Sequence, residues 1–296
     1  AGNMGSGIAQ KTAQEGLSVV LVDVKPEFVE KGLATIRTTL NEAVERKIMK
    51  PEQAEATMAR IRGTSDPAET GDCDLVIEAI FEDMDVKKDL FNRLDQVCGP
   101  KTILATNTSS FSVDELARAT NRTDRFVGLH FFYHPAKNRL LEIIPGPMTS
   151  PETVSACRQF AQLTGKTDIL VKDAPGFAVN RFFVPWLNEA TRVLEEGIAD
   201  IPTIEKAAME GLGIGMGPFK LMNVTGIPIA HHSCEGLAAK LGAFYAPSAR
   251  LKAQFESGEL WPLDGDVDET AFERVSDRLL GAVFYAVSYT HLTLPT

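Results

Sequence analysis

Strand-like apolar runs alternate with helical patterns over residues 1–172 of this 296-residue chain. The helical pattern is clearest where Leu33, Ile36, Leu40 and Val44 recur on one helical face. Parallel strands need crossover connections, whereas antiparallel strands can be joined by short turns. Strands that alternate with helices therefore predict an α/β domain with a doubly wound, mainly parallel sheet. The strand-like runs are, in order, LSVVLVDV, DLVIEAI, TILATN, RFVGLHFF, RLLEII and DILVKD.

The pattern becomes wholly helical after this point. Three segments, NRFFVPWLNEATRVLEEG, IPTIEKAAMEGLG and IAHHSCEGLAAKLG, each end at a glycine, a residue that commonly stops a helix. We therefore predict an all-α domain over residues 173–257.

The C-terminal stretch divides into two parts. Residues 258–287 are interpreted as a linker and the start of a second helical repeat, because RVSDRLLGAVFYAV faintly repeats the pattern of NRFFVPWLNEATRV. Residues 288–296, SYTHLTLPT, resemble a translated sequencing adaptor, so we interpret them as a non-native tail. We expect the natural chain to extend beyond residue 287.

The charge balance argues against two classes of partner. A net charge of -10 at pH 7 would repel nucleic acid and anionic membrane surfaces. No apolar run approaches the roughly 20 residues that span a membrane, so we predict a soluble, cytoplasmic protein. The cysteines are scattered and form no C-x-x-C pair, and we identify no cluster of histidines. We therefore expect no zinc site, no disulfide framework and no other bound metal.

The chain begins AGNMGSG, a stretch rich in glycine. Gly2 and Gly5 have the spacing of the second and third glycines in the dinucleotide-binding motif G-x-G-x-x-G, and Asp23 ends the next strand 21 residues after Gly2. An acidic residue there accepts hydrogen bonds from the ribose hydroxyls of NAD and would repel the phosphate of NADP. The sequence predicts a Rossmann-type domain that binds NAD through Gly2, Asn3, Met4, Gly5 and Asp23.

The strand and the first glycine that open this motif do not precede Ala1 in the sequence. In the usual strand order that strand is central and pairs with a neighbour on each side. We expect those two neighbours to keep unpaired backbone groups. We also expect weak NAD binding and low stability for these residues alone.

Polar residues mark two positions where ligands could bind. Asn107 and Ser109 come just past the strand TILATN, where ligands bind on open α/β sheets, although a plain Ser/Thr turn would have the same composition. Asn180 opens the helix NRFFVPWLNEA, either as a ligand contact or as a capping or solvent-facing residue. We take all three as candidate site residues, with Asn107 on the cofactor side.

His130 and Glu142 lie in two successive apolar strands, with a turn around Pro135 between them. Such a turn would make the two side chains cross-strand neighbours. A carboxylate that holds one nitrogen of a histidine fixes its tautomer and makes the ring a better base. The alternative is that His130 is a histidine of the core with its hydrogen bonds satisfied and no catalytic role. However, a carboxylate in so apolar a strand as that of Glu142 needs a partner.

Five motifs together resemble the L-3-hydroxyacyl-CoA dehydrogenase family. NTSS, GLHFF, LLEII, PGFAVNR and GMGPFKLMN occur in the family's order and at close to its spacing, between Gly2 and about Leu251. The resemblance implies NAD-dependent oxidation of L-3-hydroxyacyl-CoA to 3-oxoacyl-CoA, or the reverse reduction. It also implies an acyl-CoA partner and a role in fatty-acid β-oxidation.

The resemblance assigns roles to individual residues. His130 would take the hydroxyl proton, while Glu142 would orient its ring and stabilise its charged form. Ser109 and Asn180 would position the hydroxyl or thioester oxygens of the substrate.

Four further positions match residues that the family uses for ligand contacts. Glu82 and Lys87 match positions around NAD. Thr39 and Arg46 match positions that touch the CoA portion, although the family has Ser and Lys there. Tyr133 is a departure, because the family commonly has Asn at this position on the nicotinamide side.

Two other functions stay open at this point. Related NAD-dependent enzymes oxidise small hydroxy acids or sugar acids with the same first domain, and the scaffold is also used by a non-catalytic structural protein.

Family members usually dimerise through the helical domain, but a second helical repeat could fill the partner's place within one chain. The resemblance does not imply an acyl chain length.

Overall fold

Our computed structural model describes the backbone of residues 1–293 and the side chains of residues 1–288. The chain forms two compact units, Ala1–Ala174 and Pro175–Thr296. The division predicted from the sequence follows residue 172, two residues earlier. The interpreted tail, residues 288–296, lies partly outside the described residues.

The first unit alternates strands and helices. α1 begins directly after Gly2, and α2 follows β1 with Pro26 in its first turn, where a missing N–H costs nothing. The elements are α1 (Asn3–Gln14), β1 (Val19–Val22), α2 (Pro26–Glu45), α3 (Pro51–Ala59), β2 (Ile61–Thr64), β3 (Leu75–Glu78), α4 (Met84–Val97), β4 (Ile103–Thr106), α5 (Val113–Ala117), β5 (Phe126–Phe131), β6 (Leu140–Pro145), α6 (Pro151–Leu163) and β7 (Thr167–Leu170).

The strands of this unit form two separate ladders. β1 pairs in parallel with β2, while the other strands form a five-stranded sheet in the order β3-β4-β5-β6-β7. All pairs in the larger sheet are parallel except β5–β6, which is antiparallel. This arrangement confirms the predicted α/β fold with a mainly parallel sheet. Among the described residues, β1 and β3 each have one strand partner, and these are the neighbours expected to flank a central strand.

The centre of the larger sheet is covered on both faces. Every residue of β5 is buried, as is typical of a strand with packed layers on each side. Ile8 of α1 and Cys157 of α6 pack with the apolar side chains of β5 and β6 in one core cluster. The strand that carries His130 is therefore held rigidly by its surroundings.

The second unit is helical, which confirms the second part of the fold prediction. α7 runs through its core, where Trp186 and Ala190 are buried among side chains of the neighbouring helices. α8 ends at Gly213, whose φ of 62° is a conformation that glycine adopts without strain. The helices are α7 (Asn180–Glu195), α8 (Ile201–Leu212), α9 (Pro218–Thr225), α10 (Ile227–Leu241), α11 (Ala249–Ser257) and α12 (Phe272–Thr293). No helix of the described chain is both long and apolar enough to cross a membrane.

α12 packs against α7 and α8 of the same unit. Val275, Leu279 and Ala282 of this helix are buried, while Phe284 is 65% exposed. The segment in which the sequence analysis places the start of a second repeat thus contributes side chains to the core of this helical unit.

Leu279→Ala is expected to lower the free energy of unfolding of the helical unit by about 2–5 kcal/mol, because it removes buried methyl groups and leaves a cavity. Denaturant titration followed by tryptophan fluorescence measures this, since both tryptophans, Trp186 and Trp261, lie in the helical unit. Phe284→Ala on the same helix is the matched control and should change stability little. Equal effects of the two substitutions would argue against the packing of α12.

Candidate active site

His130 and Glu142 face each other across the antiparallel pair β5–β6. They are direct register partners, and His130 Nδ1 lies 2.6 Å from Glu142 Oε2. The histidine is 6% exposed and the glutamate is fully buried. The predicted cross-strand pairing is confirmed.

This pairing has a chemical consequence for the imidazole. A carboxylate oxygen at Nδ1 favours the tautomer in which Nδ1 carries the hydrogen, so that Nε2 carries the lone pair. If Nε2 takes up a proton, the adjacent carboxylate stabilises the imidazolium that forms. The pair can therefore act as a general base whose orientation is set by the sheet.

Glu82 and Ser109 are joined at the ends of β3 and β4. Glu82 Oε1 accepts hydrogen bonds from the Ser109 amide at 2.6 Å and from the Ser109 hydroxyl at 3.1 Å. The Thr108 hydroxyl donates to the same oxygen at 2.9 Å. Glu82 thus fixes the loop that carries Ser109.

Lys87 lies behind Glu82 and is only 1% exposed. Its ammonium donates to Glu78 Oε1 at 2.6 Å and lies 3.1 Å from Glu82 Oε2. Glu78 also accepts from the Thr106 hydroxyl at 2.7 Å. Because a buried charge is costly unless it is paired, these contacts account for the burial of both Lys87 and Glu78.

Glu78 and Thr106 are members of this network that were not predicted from the sequence. Glu78 could have been predicted to be a buried and paired carboxylate, because it is an acidic residue in the apolar run DLVIEAI. Like Glu142, Glu78 is a carboxylate in an apolar strand and needs a partner. The partner itself could not be found by strand spacing, since Lys87 comes from the following helix, α4.

Asn107 connects β4 to the strand that carries the histidine. Its side-chain oxygen accepts a hydrogen bond from the Phe131 amide at 2.8 Å, and its own amide donates to the Glu78 carbonyl at 2.8 Å. Asn107 therefore fixes the ends of β3, β4 and β5 relative to one another.

The glycine-rich start of α1 has the space that a phosphate group needs. A Cβ atom built on Gly2 would have no other atom within 4 Å, and one built on Gly5 would lie 4.0 Å from Ala79 Cβ. The N–H groups of the first helical turn, which include those of Asn3 and Met4, have no partners within the helix and can bind an anion. The Met4 side chain is partly buried and packs against the core of the sheet.

Asp23 stands at the carboxyl end of β1. Its Oδ2 accepts a hydrogen bond from the α-amino group of Ala1 at 2.7 Å, and its Oδ1 accepts one from the Val24 amide at 2.7 Å. The carboxylate keeps partial exposure, with 23% of its side chain accessible. It can still reach a ribose, in competition with the amino group.

The loop between β5 and β6 is anchored by a buried lysine. Lys166 donates to the carbonyl oxygens of Pro135 and Asn138, the latter at 2.6 Å. Burial, with Lys11 nearby, lowers the pKa of the Lys166 amine to about 8.

His134 lies in the same loop. Burial lowers its pKa, with Lys137 and Lys166 as further causes. Its Nδ1 accepts a hydrogen bond from the Ala136 amide at 3.2 Å. His134 is thus part of the loop's own hydrogen bonding.

The remaining predicted residues lie on other elements. Thr39 and Arg46 are seven positions apart along α2 and its C-terminal cap, and so share a face. The Thr39 hydroxyl bonds the Thr35 carbonyl within the helix, and Arg46 is exposed. Asn180 is the first residue of α7 in the second unit.

The structure thus places five of the predicted residues of the first unit at or near the carboxyl ends of its strands. Asp23, Glu82, Asn107 and Ser109 follow the carboxyl ends of parallel strands, and His130 lies near the end of β5. The carboxyl ends of the strands are where open α/β sheets bind their ligands.

Family models match both units of the chain. The model described as 3-hydroxyacyl-CoA dehydrogenase, NAD binding domain, matches residues 1–174, and the model described as 3-hydroxyacyl-CoA dehydrogenase, C-terminal domain, matches residues 176–264. The chain belongs to the 3-hydroxyacyl-CoA dehydrogenase family. The predicted resemblance is confirmed, and the match to the family's NAD-binding domain supports NAD as the cofactor.

Individual members of the 3-hydroxyacyl-CoA dehydrogenase family are similar over most of their length. A probable 3-hydroxybutyryl-CoA dehydrogenase from Deinococcus radiodurans is 38% identical over 90% of this chain and 96% of its own. The mitochondrial hydroxyacyl-coenzyme A dehydrogenase of Sus scrofa is 40% identical over 79% of this chain and 77% of its own. The crystal structure of (S)-3-hydroxybutyryl-CoA dehydrogenase PaaH1 from Ralstonia eutropha is similar with a TM-score of 0.81 and 35% identity, over 88% of this chain and 92% of that one.

Proposed function

We propose that the protein oxidises L-3-hydroxyacyl-CoA to 3-oxoacyl-CoA with NAD, or catalyses the reverse reduction. The observation that carries this proposal is the buried His130–Glu142 pair at the ligand-binding edge of the sheet, in a chain of this family. Oxidation of a secondary alcohol needs a base at the hydroxyl, and the pair supplies one.

The chemistry divides between the cofactor and the protein. When bound, NAD accepts the hydride that leaves C3 of the substrate. His130 takes the hydroxyl proton at Nε2, and Glu142 stabilises the imidazolium. Ser109 is held by Glu82 through its amide, and on binding its hydroxyl would exchange the hydrogen bond to Glu82 for one to an oxygen of the substrate. Asn180 is assigned to substrate positioning by its match to the family motif alone.

The residues at the start of α1 fit the cofactor. The open space beside Gly2 and the amides of the first helical turn suit a pyrophosphate. Asp23 suits the ribose hydroxyls of NAD, while Glu82 and Asn107, which follow β3 and β4, are assigned to the cofactor side of the site. Lys87 serves the site by holding Glu82, since its ammonium is buried between two carboxylates.

An exposed cation at the C-terminal cap of α2 supports binding of the CoA portion. Arg46 can attract CoA phosphates, and Thr39 shares its face of the helix. A local cation matters here because the net charge of -10 would otherwise repel such a ligand.

The packing of α12 bears on the state of assembly. α12 packs on α7 and covers part of its surface. This packing supports an arrangement in which a helical repeat of the same chain, rather than a second copy of the protein, completes the helical domain. Homodimerisation through the helical domain is the other arrangement. A cytoplasmic location, without nucleic-acid or membrane partners, is part of the same proposal.

Parallel assays distinguish the proposed activity from its alternatives. We expect loss of NADH absorbance with acetoacetyl-CoA and no NAD reduction with gulonate. Turnover of gulonate alone would favour a sugar-acid dehydrogenase. NADH binding without turnover of either substrate would favour a non-catalytic member of the fold.

A further inference from the structure

Three side chains with metal-binding atoms meet on helix α10 of the second unit. They are His231, His232 and Glu235, and one ligand atom from each lies within 4.8 Å of the others. Glu235 is four residues after His231 and three after His232, so one helical turn brings it beside both. In the described part of the chain this is the one group of three or more such residues with that proximity.

His231 is the unusual member of this group. It is 4% exposed, yet neither of its ring nitrogens has a hydrogen-bond partner. Its Nδ1 lies 3.5 Å from Glu235 Oε2, close enough for attraction but outside hydrogen-bond geometry. A buried polar atom without a partner costs about 1–3 kcal/mol, so a group that binds this nitrogen would remove a cost that the fold now carries.

An aromatic ring on the next helix contacts both imidazoles. Phe255 of α11 stacks on His231 with 4.4 Å between ring centroids and 10° between planes, and meets His232 edge-on at 5.1 Å. The His231 ring is therefore fixed by packing, and its Nδ1 stays directed toward Glu235. Glu235 is 55% exposed and His232 is exposed, so the cluster is open to solvent on that side.

We propose that His231, His232 and Glu235 form a binding site for a divalent transition-metal ion of the zinc type. In a tetrahedral zinc site with bonds of 2.0–2.1 Å, neighbouring ligand atoms lie about 3.4 Å apart. The 3.5 Å between His231 Nδ1 and Glu235 Oε2 matches this separation. His232 completes the set by a rotation of its exposed side chain, and water takes the fourth position.

The donor set favours one class of metal. Two imidazoles and one carboxylate suit Zn²⁺, Ni²⁺ and Cu²⁺, whereas Ca²⁺ and Mg²⁺ prefer six or more oxygen ligands. The proposal runs against the sequence-based expectation of no metal, which rested on the absence of a C-x-x-C pair and of clustered histidines, although His231 and His232 are adjacent in the sequence. It does not depend on the dehydrogenase activity, because these residues are separate from those assigned to catalysis.

The test is a titration of the full, untagged chain with Zn²⁺ alone, followed by calorimetry or by competition with a chromogenic chelator. We expect one site of micromolar or tighter affinity that excludes Mg²⁺. His232→Ala and Glu235→Gln should each weaken it by at least about tenfold, since each removes one of three ligands. Both positions are exposed, so the fold should survive, and circular dichroism checks this.

Glu256→Gln on α11 is the matched control. Glu256 is 61% exposed and pairs with Lys252 one turn away, outside the cluster. Its substitution should leave Zn²⁺ affinity unchanged. Cobalt substitution adds a spectroscopic readout, because a tetrahedral site gives strong visible absorption that His232→Ala should abolish. Absence of a one-to-one site, or equal Zn²⁺ affinity in the wild type and both cluster variants, would overturn the proposal.

Discussion

His130→Gln is expected to lower kcat for 3-oxoacyl-CoA reduction and for the reverse oxidation by about two to four orders of magnitude, the usual contribution of a positioned general base. Glutamine keeps much of the volume of histidine in the buried position but cannot take up a proton at neutral pH. NADH affinity should change little, because the residues assigned to NAD lie elsewhere on the sheet edge. Steady-state kinetics and NADH fluorescence titration measure the two quantities separately.

His134→Gln is the matched control for this substitution. His134 lies four residues further along the chain and bonds within its own loop, so its loss should leave kcat near that of the wild type. A His130→Gln variant with unchanged turnover would remove His130 from the mechanism. A large loss in His134→Gln alone would transfer the role of base to that residue.

Fusion of about ten strand-forming residues ending in glycine ahead of Ala1 is expected to join the two ladders of the first unit. β1 and β3 each have one strand partner among the described residues, so one added strand can pair with both. At roughly 1 kcal/mol per net hydrogen bond, the free energy of unfolding should rise by at least about 3 kcal/mol. Denaturant titration of the first unit, followed by far-ultraviolet circular dichroism, measures this rise.

The same fusion should strengthen NADH binding. The terminal glycine completes G-x-G-x-x-G with Gly2 and Gly5, and the α-amino group that now holds Asp23 becomes an uncharged amide. We expect NADH to bind at least about tenfold more tightly, a gain of 1.4 kcal/mol. The control segment has proline at alternate positions, because proline cannot donate to a strand ladder. Equal stability and NADH affinity with the two segments would contradict the expectation.

The sequence predicted best those features that depend on local pattern. The alternation of strands and helices was enough for the α/β fold and the helical second unit. The His130–Glu142 contact could also be predicted, because a turn at Pro135 sets the register of two adjacent strands and the carboxylate needs a partner.

Features that depend on packing between distant elements were not predicted. Lys87 is separated from Glu78 by nine residues and from Thr106 by nineteen, and no periodicity links them. The burial of His231 beneath Phe255, a residue of another helix, was likewise not predicted. Such burial depends on how the helices pack together in the folded core, so it cannot be predicted from a single stretch of sequence.

The chain of contacts from Glu78 through Lys87 to Glu82 has an entropic consequence. Ser109 is bound to Glu82 by both its amide and its hydroxyl, and Lys87, with almost no exposed surface, holds Glu82 in turn. The conformational freedom of the Ser109 loop is therefore lost when the first unit folds rather than when substrate arrives. Substrate binding therefore does not have to offset this loss of conformational entropy. More of the interaction energy between substrate and protein is then available to lower the barrier of the reaction.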